Sequence, residues 1–552
     1  MKPVPATTVS EESTKAKGIS LRSYLDYVSN RLSRNRVEME AVFLLWAGIT
    51  VFAIIYGTLS IIRVNTFQAD AFDLGIFDQT LWQISHFHSL FNTVRGLNLF
   101  GDHFTPILFL IAPLYRLFPE PQALVFFQSA ALAIGAAPLY RLARHHSSPP
   151  FAATGLCFAY LIAPTLAYPI LYDFHPNMLA IPLLLFAIDA MEQERYKAFA
   201  AWTALTLICR QDMAPSVGVF GLAIVLRSFS LNASSSEGGQ ALRRRRKIRA
   251  IAGVITLLAG TCWLFLALSV MQALSGCGTG YAELYRHFGS TPGRIAANLL
   301  LHPISSLSYA VYGNGYYILQ LVMPTGLICL LCPELLIATL PELALNLLSD
   351  KIIMQTIWAQ YTPAITPFVF ASAAIGLGRL FGFTRRFDLL PRPGENLGGI
   401  VLASISAFCF WSYGPGDNMA HIWRGFLPSS VVRERRALLA KNRIPQSASV
   451  SASWGMVVSF DHRDRIYMFP NPFIKAWYGP GKEVIEAEVM NAHTPMPPKL
   501  TPLLRDNSVD YLVITDPGPY QRLITKAISS GYYRVVAKGG GVTIFKRVVG
   551  VK

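Results

Sequence analysis

Charge is what this sequence has least of. Only 14% of its 552 residues are Asp, Glu, Lys or Arg, against about a quarter in an ordinary soluble domain. A surface that large cannot be covered so sparsely if water is the only solvent. Acid is the scarcer sign, with 32 Asp and Glu against 48 Lys and Arg. An excess of base can serve nucleic acid, but the densest run here, Arg243-Arg-Arg-Arg-Lys247, is squeezed between two apolar stretches. A basic loop so placed reads as a cytoplasmic topology signal, and nucleic acid is not expected as a partner. Cysteine is also scarce: there are seven, six of them inside apolar runs and Cys277 in a loop. No disulfide framework follows, and the spaced pair Cys329 and Cys332 reads as small packing residues. No internal repeat is visible. Residues 1–40 lack the short apolar core of a cleaved signal, so the first span is expected to remain as an anchor.

What the sequence does have is apolar runs of roughly 17–25 residues, the length that crosses a bilayer as helix. The expected fold class is an all-α polytopic membrane protein of about 11 transmembrane helices, followed by a small α/β domain. The expected divisions are a cytoplasmic segment 1–40, a membrane domain 41–414 with a first outer loop at 63–121, and an extracytoplasmic domain 415–552. Residues 104–118 are apolar but short and interrupted by Pro106 and Pro113, which predicts an interfacial helix rather than a span. With that assignment, 21 Lys and Arg fall on the cytoplasmic side and seven in the outer segments before the tail. The bias places the N-terminus in the cytoplasm and the tail outside. Spans eight and nine are expected at 314–332 and 333–348. In the tail, short β-like runs begin near 448, 465, 510 and 533, and Gly539-Gly-Gly541 marks a terminal hairpin. Asn232-Ala-Ser234 has sequon form but falls on the cytoplasmic side, so it is discounted.

This topology gathers the chemistry on one face. Asp70, Asp73, Asp78, Asp102, His103, Asp173, His175, Arg210, Asp212 and Tyr361 all fall at outer span ends or in outer loops. Acids and imidazoles near bilayer depth are costly, and their usual reason is a site or a wet cavity. Such a set suits a divalent cation, or a base with a charged orienting partner. Plainer roles compete for each. Asp70 can cap a helix, Asp102-His103 can be a helix-entry turn before Pro106, Asp173-Phe-His-Pro176 can be an inter-span turn, and Arg210 can simply pair with Asp212. Asp189, near a cytoplasmic end, is expected to be merely solvated.

Among the three acids of Asp70-Ala-Phe-Asp-Leu-Gly-Ile-Phe-Asp78, Asp73 is expected to be the most enclosed, with a raised pKa, and to act as base. Asp78, five residues on, should point elsewhere, about 140° away around a helix. Asp102 and His103 are the reserve candidates for base. A metal, if used, is expected on Asp73, Asp102 and His103, as Mg or Mn.

Phe72-Asp-Leu-Gly-Ile-Phe-Asp-Gln79 with Leu81-Trp82, Gly101-Asp-His-Phe-Thr-Pro106, Asp173-Phe-His-Pro176 and Arg210-Gln-Asp212 resemble the hallmarks of a bacterial membrane family, domain of unknown function 2079. That family is similar to the C-type (GT-C) glycosyltransferases. The resemblance implies sugar transfer from a polyprenyl-phosphate donor on the outer face of the plasma membrane, with an acidic residue of the first outer loop essential. On this reading catalysis is expected from Asp73, Asp102 or His103, with Asp70, Asp78, Asp173, His175, Arg210, Asp212 and Tyr361 around the substrates. The acceptor would be a glycan, lipid or protein. In one respect the sequence departs from the pattern: residues 63–103 hold no adjacent acidic pair of the kind several such enzymes carry. Two other classes compete: a transporter or lipid flippase with a proton relay, and a non-catalytic scaffold presenting the tail.

Overall fold

The computed structural model describes residues 21–230, 238–275, 281–387, 392–416, 429–473 and 509–548 except 516, with isolated positions between 417 and 428. Cys277 and Asn232–Ser234 lie outside the described residues. The chain is mostly helical. It opens on α1, Leu21–Asn65, whose apolar part ends at Arg63. Residues 63–121 then carry α2, Ile76–Ser85, and α3, Ile107–Tyr115. Two broken pairs follow: α4 and α5 (Pro121–Ile134, Ala136–His145), and α6 and α7 (Pro150–Leu161, Pro164–Tyr172). Proline sits at the first turn of α4, α6 and α7, where its missing N–H costs nothing.

Among the described residues, five helical stretches are long and apolar enough to cross a membrane: 35–65, 121–145, 150–172, 239–274 and 366–386. Shorter apolar helices cover 213–229 and 397–412. The expected spans eight and nine are not continuous helices. Between Gly315 and Leu347 the chain is cut into short α and 3-10 turns, with Gly326 and Leu327 in the left-handed region. Pro324, Pro333 and Pro341 recur there, and each removes a backbone donor. As expected, α3 is too short to span: nine residues rise about 13.5 Å against a core of about 30 Å. Its Ile107, Leu108 and Ile111 are buried while Phe109, Leu110 and Leu114 stay exposed.

The tail forms a five-stranded sheet: β1 Val450–Ala452, β2 Ile466–Met468, β3 Tyr511–Ile514, β4 Tyr533–Gly539 and β5 Val542–Arg547. The strand order is β2-β1-β3-β5-β4, with β1 parallel to β2 and β3 and the last two pairings antiparallel. The expected hairpin is present. Its two-residue loop, Gly540-Gly541, has φ of +57° and +70°, the conformation that fits strand twist and favours glycine.

Strand alternation decides where this sheet sits. Leu512, Ile514, Tyr533 and Phe545 face one side, against Leu523, Ile524 and Ala527 of a covering helix, Gln521–Ser529. Val450, Ala452, Ile466, Val513 and Ile544 face the other side and share one core with Ala71, Leu74, Phe77, Leu81 and Leu108. The sheet is therefore built onto the first outer segment. That shared core fixes the carboxylates of residues 70–78.

Candidate active site at one end of the helix bundle

Asp70 starts the site. Its side chain caps a π-helical turn, Ala71–Gly75, by accepting from Phe72 N at 2.8 Å. The capping role weighed for Asp70 is thus real, and it occupies one of the three acids. The tail packs against Gly75: a Cβ there would stand 3.4 Å from Val457 Cγ1. The extra residue in a π turn carries Asp73 toward the segment between α7 and α8 (Ala180–Glu192). There His175 Nε2 donates to Asp73 Oδ1 at 2.8 Å. Gln128 of α4 clamps that segment, donating to Asp173 O (2.9 Å) and accepting from His175 N (2.7 Å). Asp173 is more than an inter-span turn, because its Oδ2 accepts from Asp70 N (2.8 Å) and Arg63 Nη2 (3.4 Å).

The electrostatics differ from the expectation. Asp70 and Asp78 are the enclosed acids, at 5% and 0% exposure. Asp73 keeps 14% of its side chain accessible. Burial and the neighbouring Asp73 push the Asp70 carboxyl up to about 8. Burial also raises Asp73, but the charge and hydrogen bond of His175 outweigh it and hold Asp73 below the usual carboxylate range. The expected raised pKa therefore belongs to Asp70, which hydrogen-bonds to Asp73. Asp173 is pushed up to about 6, chiefly by burial. Asp73 is thus an ionised, partly open acceptor backed by a protonated neighbour.

The second group is close by. Arg95 grips Asp102 with two bonds, Nε to Oδ2 at 2.6 Å and Nη2 to Oδ1 at 3.0 Å. Burial raises Asp102, but His103 and Arg95 outweigh it and hold it at about 2. Burial, joined by Arg210 and Arg95, keeps the His103 pKa below its usual value. Arg210 pairs with Asp212, Nε to Oδ2 at 2.8 Å. Phe77 links the groups: its ring stacks on His103 with centroids 6.1 Å apart and meets His175 edge-on at 6.3 Å. The Arg95 guanidinium lies over Phe72 at 6.0 Å.

Not every expected residue joins this wall. Asp78 points away, as its helical position predicts, and accepts from Tyr115 OH at 2.6 Å. Tyr361 contributes its backbone, its carbonyl accepting from Asn346 Nδ2 at 2.6 Å. Asp73 pairs with His175 and Asp102 with Arg95, and among the described residues Asp73, Asp102 and His103 are not a set whose donor atoms all lie within 4.8 Å of one another. Asp189 is not merely solvated. It is fully buried at the other end of the bundle, held by Arg141 Nη2 (2.8 Å) and Arg195 Nη2 (2.7 Å).

Sequence reasoning missed Arg63, Glu342, Asp461 and His462. Glu342 is 3% exposed and within electrostatic reach of Arg210 and Asp212. The pair Asp461-His462 repeats the Asp-His doublet of residues 102–103, a signal that could have drawn attention to it.

The fold and site define a polytopic helical membrane protein with a charged cluster at one end of its bundle and a sheet domain packed over it. The chain belongs to the family described as predicted membrane protein (DUF2079), which it matches over residues 63–542. Two solved structures share the fold: ArnT from Cupriavidus metallidurans in the apo state and the same protein bound to undecaprenyl phosphate. Each is 12% identical with a TM-score of 0.50, covering 91% of this chain and 98% of its own. The expected GT-C-like architecture is met at the level of fold. No curated protein matches the chain.

Proposed function

We propose that this protein is a glycosyltransferase of the plasma membrane, moving a sugar from a polyprenyl-phosphate donor to an acceptor hydroxyl on the outer face. The N-terminus would lie in the cytoplasm and the sheet domain outside. The observation that carries the reading is the Asp73–His175 pair, a partly accessible carboxylate beside the buried Asp70 and Asp173, on a fold shared with a protein solved with undecaprenyl phosphate.

In the reaction, Asp73 accepts the acceptor hydroxyl proton while that oxygen bonds to the anomeric carbon. The bond from that carbon to the phosphate oxygen breaks, and polyprenyl phosphate leaves with the electron pair. His175 keeps Asp73 ionised and oriented. Arg210 and Arg95, held beside the wall by Asp212 and Asp102, supply guanidinium for the phosphate, with His103 within electrostatic reach of both. Because Asp73, Asp102 and His103 do not form one ligand set, Mg or Mn at those residues is not part of the proposal. The proposed steps run through side chains alone. The acceptor class, glycan, lipid or protein, would be set by the sheet domain.

The test is purified protein given polyprenyl-phosphate sugars. Release of polyprenyl phosphate, lost in Asp73→Asn, supports the reading. Absence of both donor binding and release in the wild type rejects it.

A further inference from the structure

A second set of donors stands apart from the proposed transfer. Asp78 of α2 and Asp461 and His462, from the loop following the Trp454–Ser459 turn, form the one group of three among the described residues whose donor atoms all lie within 4.8 Å of one another. We infer that Asp78, Asp461 and His462 hold one divalent cation of the Zn2+ type at the seam between the first outer segment and the sheet domain.

The charges favour one. Asp78 and Asp461 are 0% and 1% exposed, and two carboxylates sealed side by side are costly without a cation or shared proton. Arg463 is adjacent, but its guanidinium serves the carbonyls of Phe460, Pro445 and Ala448. Around the single site of His462 Nε2 gather three oxygens: Tyr115 OH at 2.7 Å, Asp78 Oδ2 at 3.0 Å and Asp461 Oδ1 at 3.9 Å. One imidazole nitrogen cannot satisfy all three. Among the described residues, Asp461 Oδ2 has no hydrogen-bond partner within normal geometry.

The geometry is also near to what an ion requires. Tetrahedral ligands about 2.1 Å from a Zn2+ lie roughly 3.4 Å from one another, a value bracketed by the 3.0 and 3.9 Å separations at His462 Nε2. Two carboxylates and an imidazole suit Zn2+ better than Mg2+, which prefers an all-oxygen octahedron. Asp461 and His462 also line a cleft of about 370 Å³ walled by Asn65, Glu120 and Arg436, which provides an entry path. The ion would join side chains 384 positions apart and clamp the sheet domain over the site.

The full-length protein, stripped with chelator and equilibrated separately with Zn2+, Mn2+ and Mg2+, should retain one equivalent of Zn2+ per chain by elemental analysis and gain thermal stability with it. Asp461→Asn and His462→Gln should each weaken Zn2+ binding by at least about 10–100-fold and lose the stability gain. No retained Zn2+ in the wild type, retention of Mg2+ alone, or wild-type Zn2+ affinity in both variants overturns the site. The wild-type measurement decides even if a variant fails to fold. Because metal content is read rather than turnover, the result is independent of the proposed transfer.

Discussion

Asp73 and His175, 102 positions apart, meet at 2.8 Å between the carboxylate and Nε2. The contact joins the first outer segment to the turn between α7 and α8. If Asp73 is the base, Asp73→Asn should lower turnover by about 10²–10⁴-fold, measured as release of polyprenyl phosphate. Donor affinity should change far less, because the amide keeps the shape. Near-normal turnover in Asp73→Asn with loss in Asp102→Asn would transfer the role to the Asp102–His103 group.

Asp70 should make stability depend on pH. Its folded pKa of about 8 lies above the ordinary carboxylate value near 4, so the folded state holds a proton that the unfolded chain has released. That contribution is fully present below about pH 4 and is lost as pH rises through about 8. Asp173, raised to about 6, adds the same sign over the lower part of the window. The wild-type Tm should therefore fall between about pH 5 and 8.5 more steeply than that of Asp70→Asn. Parallel slopes would mean that Asp70 carries no proton in the folded protein.

Arg210→Lys separates two roles of one side chain. A guanidinium can bind phosphate through two parallel bonds and an ammonium cannot, so donor affinity should drop while Tm stays near wild type. If Arg210 serves only to hold Asp212, lysine preserves the ion pair and the affinity is unchanged.

At the opposite end of the bundle, the two buried acids should differ in cost. Glu192 accepts from Arg227 Nη2 at 2.8 Å and pairs with Arg249, and those arginine side chains are only 9% and 3% exposed. Glu192→Gln takes the carboxylate from buried Arg249 and leaves buried Arg227 with Glu334 alone, and breaking a buried pair costs about 3–5 kcal/mol. Asp189→Asn should cost less, because Arg141 and Arg195 are 42% and 47% exposed and water can solvate them. Equal losses of Tm in the two variants would contradict this account.

Orientation can be read directly. In a cysteine-free background, a cysteine introduced at the exposed Asp464 should react with a membrane-impermeant reagent in intact cells whose outer barrier is permeabilised, and one at Arg386 should not. The reverse pattern would invert the topology and move the site to the cytoplasm.

Sequence by itself determined the solvent and much of the layout. A charge content of 14% and long apolar runs require a bilayer, because apolar length and Lys/Arg bias are sums over local sequence. For the same reason the terminal hairpin, the short helix at 107–115 and the divergence of Asp78 from Asp73 were legible: each depends on turn chemistry, length or helical period. Tertiary structure alone decided who meets whom. His175 reaches Asp73 and His462 reaches Asp78 across 102 and 384 positions, and no periodicity encodes such a distance. The fate of each proton was decided there too. Whether Asp70 or Asp73 carries it depends on how deeply each is buried and which cation faces it, and those are properties of the packed core between the sheet and the first outer segment.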